Sequence, residues 1–262
     1  MIFSNLYQTS SLEIVLLLFI SMLIVYFLGF KLKKILVKKG YADSDTEIGP
    51  LEGSLLALFA FFLGFTFNLA ANRYDARRQV IIAEANNIGT AILRADLYPD
   101  SSRQTMRSHF KNYVEYRLDY FNAGIDEKKI SVALLNAQKE ADTIWNMSTA
   151  LAQNIKYTDA TRLMIPALNA MNDSVTTRDA TKNATVPESI LWVLFSLGIF
   201  SALIIGYSTK SQKVNYITGI IFITMISVSF YMIIDLDRPR RGIINLEESN
   251  KKILELRTLF IK

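Results

Sequence analysis

Four long apolar segments constrain this chain more than any other feature of its sequence. They cover about residues 12–30, 53–71, 189–207 and 214–234, and formal charges lie only at their edges. Each segment is long enough to cross a hydrocarbon layer of about 30 Å as a helix that rises about 1.5 Å per residue. The sequence therefore predicts an all-α membrane protein with four transmembrane helices.

These segments form two hairpins around a polar middle region. We predict a first transmembrane hairpin at residues 1–71, a helical extramembrane domain at 72–188, a second hairpin at 189–234 and a short basic tail at 235–262. Apolar residues recur at helical spacing through the middle region, whereas Pro99 and Gly124 mark turns. We expect the second span to continue as one helix beyond the membrane, and a helical bundle to form between helices 2 and 3. Thr185 and Glu188 have the spacing of a capping box before the third span.

The composition excludes several classes of function. The chain has no Cys and one His, His109, and it contains no Ser-His-Asp set, HExxH motif or Gly-rich phosphate loop. We therefore predict no enzyme, no catalytic residue, no metal site and no cofactor. The net charge of +5 is spread over positions that flank the membrane, which indicates contact with the lipid bilayer and no binding of nucleic acid.

Small and polar residues form a stripe along the second span. Its members recur every three or four residues and fall within an arc of about 80° at about 100° per residue. The stripe consists of Gly53, Ala57, Ala60, Gly64, Asn68, Ala71 and Asp75. Such a stripe is typical of close helix packing in lipid. In a ring of subunits it would instead line a water-filled pathway, because Asn68 and Asp75 are unfavourable in hydrocarbon. The similar row Gly198, Ala202 and Gly206 of the third span has no polar member and predicts packing alone.

Two charged clusters follow the second and fourth spans, at the same membrane interface. The first contains Arg73, Asp75, Arg77 and Arg78, and the second contains Asp235, Asp237, Arg238, Arg240 and Arg241. Both clusters fit two interpretations: anchoring to lipid headgroups by snorkelling Arg side chains, or a charged vestibule at the mouth of a pore.

The basic residues give conflicting indications of membrane orientation. Seven Lys residues lie on one face, in the loops after the first and third spans, and six Arg of the charged clusters lie on the other. The Lys residues are Lys31, Lys33, Lys34, Lys38, Lys39, Lys210 and Lys213. Because the positive-inside rule gives most weight to short loops, we expect the middle domain to lie outside the cytoplasm.

Three segments of the chain resemble the bestrophin-like membrane proteins of bacteria, which are described as a domain of unknown function. They are Leu51–Gly53 with Arg73–Arg78, Glu84–Ala91 with Arg94, and Asp237–Gly242. The resemblance covers essentially the whole chain and implies kinship to bestrophins, which are pentameric anion channels with a Phe-lined neck on the second helix. It makes Phe61 and Phe65 candidates for a hydrophobic constriction. It also makes Glu84 and Arg94 candidates for interface charges.

The favoured interpretation is an oligomeric ion channel in the inner membrane, with the second span lining the pore. Its partners would be lipid, inorganic ions and further copies of the chain, and a pentamer is expected only by analogy. Two alternatives stay open at this point. One is a membrane sensor whose helical domain binds a ligand, and the other is a structural or accessory protein that assembles without transport.

Overall fold

The computed structural model describes residues 9–41, 49–209, 216–238, 240 and 242–261, and it contains no strand among them. Eight α-helices follow one another in this part of the chain. They are α1 (Ser11–Lys38), α2 (Gly49–Ala95), α3 (Asp100–Asn122), α4 (Glu127–Ala152), α5 (Thr158–Asn183), α6 (Glu188–Ser208), α7 (Tyr216–Leu236) and α8 (Glu247–Glu255). Short 3₁₀ turns at Ile155–Tyr157 and Leu256–Phe260 precede α5 and follow α8.

Four helical stretches within these ranges have the length and apolar composition to cross a membrane. They correspond to α1, α2, α6 and α7, which confirms the predicted fold class. The predicted fourth span starts at Val214, which lies outside the described residues together with Lys210 and Lys213 of the preceding turn.

Helix boundaries follow local sequence signals closely. α2 is one helix of 47 residues. Its continuation beyond the second span was expected, because the sequence from Arg73 to Leu97 has no Pro and only one Gly, Gly89. Pro99 precedes α3, and the carboxylate of Asp126 accepts the backbone N–H groups of Lys128 and Lys129 at the start of α4. The predicted capping box at Thr185 is wrong, because Pro187 is the N-cap residue of α6 and makes no side-chain cap hydrogen bond.

The chain divides into two compact units. Unit 1 comprises Met1–Arg73 and Thr185–Ile244, and unit 2 comprises Tyr74–Ala184 and Asn245–Lys262. α2 contributes its first part to unit 1 and its second part to unit 2. In this division, residues 245–262 belong to unit 2 together with α3, α4 and α5.

In unit 1, α1 packs along α6 and α7. Glycines let the backbones of α1 and α6 touch: a Cβ atom at Gly29 would collide with the carbonyl oxygen of Leu203, and one at Gly206 with that of Tyr26. Met22, Phe230 and Ile223 are completely buried in the core beside them. Close backbone approach of this kind replaces the hydrophobic effect, which cannot join helices within lipid.

In unit 2, α3 packs on α4, on α8 and on the 3₁₀ turn Leu256–Phe260, and α4 packs on α5. Ile88, Phe110, Ile144 and Met164 are completely buried in a core to which the second part of α2 also contributes. The C-terminal segment is held in this core by Ile253, which is fully buried.

Candidate functional site

The packed face of α2 in unit 1 lies away from the small-residue stripe. Phe59, Thr66 and Ala70 are its buried residues, at 4%, 0% and 0% exposure. At about 100° per residue, they lie roughly 140° around the helix from the centre of the stripe. Only 17% of the residues in the most apolar part of α2 are buried, against 39% for α7. α2 therefore presents most of its surface, including the stripe, away from its own subunit.

The stripe residues in unit 1 are mostly exposed, so their small size is not needed for packing within that unit. Gly53, Ala57, Ala60, Gly64 and Asn68 are exposed, and Ala71 is half-buried. A Cβ atom added at Gly53 or Gly64 would meet no other atom within 4 Å. The row in α6 is different, because Gly198, Ala202 and Gly206 are all buried and a Cβ at Gly206 would collide with Tyr26. The packing prediction for the α6 row is confirmed.

Two phenylalanines stand beside the stripe on the exposed surface of α2. Phe61 and Phe65 are 67% and 50% exposed, and their rings stack with centroids 6.4 Å apart and planes inclined by 14°. Large apolar side chains exposed on a membrane helix face lipid or another protein surface. Neither ring is covered by the rest of unit 1.

The polar members near the end of this face are exposed and paired locally. Asn68 accepts a hydrogen bond of 2.7 Å from the side-chain amide of Asn72, both in unit 1. In unit 2, Asp75 forms an ion pair of 3.3 Å with Arg78, and these side chains are 60% and 47% exposed. Arg73 is half-buried. The carboxylate of Asp75 is therefore accessible, although a cation lies beside it.

The charged cluster after α7 is largely inside unit 1. Asp235, Asp237 and Arg238 are 0%, 2% and 4% exposed. One carboxylate oxygen of Asp235 accepts the backbone N–H groups of Ile243 and Ile244, at 3.0 and 2.8 Å. The chain thus folds back over this carboxylate.

This return of the chain requires a glycine. Gly242 has a φ of 135°, and a Cβ atom there would collide with the carboxylate of Asp235. Asp237 accepts the N–H group of Val186 at 2.8 Å, and Arg238 donates to the carbonyl oxygen of Thr9. Asp237 and Arg238 therefore hold the end of α7 to the segments that precede α6 and α1, whereas Asp235 holds the return of the chain itself. Arg240 is half-buried, and Arg241 lies outside the described residues.

Glu84 is at the centre of a buried ion cluster in unit 2. Its side chain is 0% exposed and forms ion pairs with Arg117, 1% exposed, and Arg178, 11% exposed. The Nε atom of Arg117 and the Nη1 atom of Arg178 each lie 2.6 Å from a different oxygen of the carboxylate. The cluster joins α2, α3 and α5. Arg178 also donates to the side chain of Asn250 in α8.

Aromatic rings enclose the two guanidinium groups. Arg178 lies 3.9 Å from the ring centroid of Phe121, and Arg117 lies 4.9 Å from that of Tyr120. Burial lowers the pKa of Arg178, against the attraction of Glu84. For Arg117, burial is the largest single effect and acts in the same direction, but the attraction of Glu84, the nearby Tyr113 and Tyr120 and the hydrogen bond to Glu84 together raise the pKa. Both guanidinium groups remain charged at neutral pH.

Two further predicted charges of α2 in unit 2 also hold it to other segments of that unit. Arg77 is 3% exposed and donates to the carbonyl oxygen of Ala184 at 2.7 Å. Arg94 donates to the carbonyl oxygen of Leu163 in α5. About two turns before Arg94, Asn87 donates to the side chain of Ser174 and to the carbonyl oxygen of Ala170. The segment Glu84–Arg94 thus fixes α2 to α5.

Reasoning from the sequence did not single out Arg117, Arg178 or Tyr113 as members of a buried polar cluster. Arg117 follows Val114 by three residues and precedes Phe121 by four, so it lies on the apolar face of α3. A charge on an otherwise apolar helical face was the available signal. The partner of Arg117 could not be predicted from such a pattern, because Glu84 lies 33 residues away in the sequence.

The helices define a class of protein: a membrane protein with four spans and a helical unit inserted between the second and third. A family model described as the bestrophin-like domain matches residues 20–250. The chain belongs to the bestrophin-like family. Comparison with curated protein sequences gives no significant match.

Solved structures of a bacterial bestrophin homologue from Klebsiella pneumoniae have a similar fold. Two of its single-residue variants are 13% and 12% identical to this chain, with TM-scores of 0.70 and 0.71, and each comparison covers 95% of this chain and 99% of the other. A structure of the homologue solved by Zn-SAD phasing is 12% identical, with a TM-score of 0.67 and coverage of 93% and 97%. At this level of identity the likeness establishes the fold.

Proposed function

We propose that the protein is a homo-oligomeric ion channel of the inner membrane whose central pathway is lined by α2. The observation that carries this proposal is the open stripe of α2, because small residues there leave space that no part of the described subunit fills. Membership of the bestrophin-like family supports a channel rather than an enzyme.

The physical argument begins with the cost of exposing this face to lipid. Asn68 is exposed at the same azimuth as Gly53 and Gly64, and a polar amide in hydrocarbon is unfavourable. Assembly around an axis would remove the amide from lipid and let neighbouring α2 helices approach closely along the small residues. The stripe would then face a shared pathway, with Phe61 and Phe65 beside it as a hydrophobic constriction.

The charged mouth of the pathway is the part that sets ion preference in this proposal. Asp75 would form a ring of carboxylates, one from each subunit, and such rings favour cation entry. Arg73 and Arg78, its neighbours in sequence, carry the opposite charge, and Arg78 pairs with Asp75. We therefore expect Asp75 to affect conduction, with a sign that depends on how far these cations neutralise it. Asp235, Asp237, Arg77 and Arg238 serve in this scheme to hold the helix ends, since they are buried.

Flux through reconstituted liposomes tests the proposal. We expect the purified full-length protein to form an oligomer, by analogy a pentamer, and to conduct ions. Asp75→Asn should change the conductance or the cation-to-anion ratio. The change should be larger at low salt, because the Debye length increases from about 3 Å at 1 M to about 30 Å at 0.01 M ionic strength and the charge is then less screened. Glu115→Gln, which neutralises an exposed carboxylate elsewhere in unit 2, is the matched control.

The outcomes separate the competing functions. A monomer without flux would contradict the channel proposal and favour the accessory role. Flux that is indifferent to Asp75 and to Asn68→Ala would retain a channel but place its pathway on another surface. A sensor would instead need an output partner that co-purifies with the chain.

A further inference from the structure

We propose that the helical unit 2 holds a small monovalent anion, such as chloride, in its interior beside Arg117 and Tyr113. The site is separate from the α2 stripe, and the inference does not rest on channel activity. It is carried by an excess of buried positive charge and by two buried donors that point to the same interior.

The first observation is the charge of the Glu84 cluster. One carboxylate pairs with two guanidinium groups, and the three side chains are 0%, 1% and 11% exposed. Among the described residues, the only carboxylate that pairs with Arg117 or Arg178 is that of Glu84. The remaining hydrogen-bond partner of Arg178 is the neutral amide of Asn250. The interior therefore keeps one uncompensated positive charge, which is costly to bury unless a counter-ion accompanies it.

The second observation is a pair of donors without acceptors. The Nη1 atom of Arg117 and the hydroxyl of Tyr113 are both buried and have no hydrogen-bond partner in the described part of the chain. Tyr113 precedes Arg117 by four residues on α3, so the two side chains lie on one face of that helix. Burial raises the pKa of Tyr113 to about 12, and its hydroxyl therefore remains a donor at neutral pH.

An anion satisfies both observations together. It would accept from Arg117 and Tyr113 and supply the missing negative charge, whereas a water molecule would supply only the acceptor. Tyr113 belongs to the same buried apolar core as Phe110, Val114 and Ile88, which are completely buried. Charge and burial thus favour a single-atom halide over larger carboxylates or phosphates.

Thermal unfolding of the full-length protein in detergent tests this site. Chloride or bromide is titrated against gluconate at constant ionic strength, and we expect a saturable rise in melting temperature. Tyr113→Phe should weaken the apparent affinity about tenfold, since it removes one hydrogen bond to a charged group. Arg117→Met should abolish the response. Tyr116→Phe makes the same chemical change on a half-buried residue of α3 outside the cluster, and it should respond like the wild type.

A crystal grown in bromide provides the second measurement, because an anomalous peak is expected beside the Nη1 atom of Arg117. A melting temperature that is equal in chloride and gluconate would overturn the proposal. So would a halide response of the same size in all variants, which would indicate a general effect of the salt. A water molecule at the position, with no bromide peak, would assign the donors to solvent and also reject the anion.

Discussion

Replacing Glu84 by Gln should destabilise unit 2 severely, because it leaves two buried guanidinium groups without a charged partner. The carboxylate is 0% exposed and accepts from Arg117 and Arg178, so its neutralisation raises the buried charge of the cluster from one to two. Removing one partner of a buried ion pair costs about 3–5 kcal/mol. For a unit of roughly 130 residues this corresponds to a fall of about 10–20 °C in melting temperature.

The two tryptophans allow the loss to be measured in unit 2 alone. Trp145 lies in α4 of unit 2, and Trp192 lies in α6 of unit 1, where it is 39% exposed. In a Trp192→Phe background, intrinsic fluorescence therefore follows the unfolding of unit 2.

Two further variants make the reasoning specific to charge. Glu115→Gln removes an exposed partner of Arg257, and we expect a cost below about 1 kcal/mol. Arg117→Met leaves Glu84 paired with Arg178 and a neutral cluster, so it should cost less than Glu84→Gln. If Glu84→Gln unfolds within a few degrees of the wild type, or if Arg117→Met is the more damaging change, the charge balance described above is refuted.

Three other predictions concern the membrane helices and topology. Gly206→Ala should lower the free energy of unfolding of unit 1 by about 1–3 kcal/mol, because the added methyl group meets the backbone of Tyr26. In the control Gly64→Ala, the methyl group meets nothing within 4 Å, so this change should be neutral. Trp192 fluorescence in a Trp145→Phe background measures the unfolding of both variants. Gly64→Leu should disturb the size of the oligomer or block flux, whereas Phe62→Leu, on another face of α2, should be milder, and equal tolerance would count against a buried stripe. A Cys at the exposed Ser101 should react with an impermeant maleimide in intact cells, and labelling only after permeabilisation would place the middle domain in the cytoplasm.

The helices were predictable because their signals are local. The continuation of α2 beyond the second span could be predicted from the near absence of Pro and Gly between residues 73 and 97, and the start of α3 from Pro99. The number of spans followed from hydropathy and length alone. The stripe was visible for the same reason, since helical periodicity fixes which residues share a face before any tertiary contact is known.

The roles of the charges were not predictable in this way, because burial depends on contacts distant in sequence. Asp235 lies at the end of an apolar span, where a charge normally meets headgroups or water. It is buried because the chain turns at Gly242 and brings two backbone N–H groups onto its carboxylate. Glu84 is buried because Arg117 and Arg178 reach it from two other helices, and no local pattern specifies that pairing.

The distribution of these charges separates the residues that shape the subunit from those that can act on ions. Glu84 and Asp237 lie in segments that resemble the family, and Asp235 lies two residues before one of them, but all three carboxylates are buried and engaged with Arg side chains or backbone N–H groups. Neutralising them should change folding before it changes any selectivity. Asp75, in contrast, is 60% exposed, and its ion pair within the described residues is with a half-exposed Arg78 one turn away. An exposed pair of this kind contributes less than about 1 kcal/mol to stability. A variant at Asp75 therefore leaves the subunit folded, and any effect it has on flux can be assigned to the pathway itself.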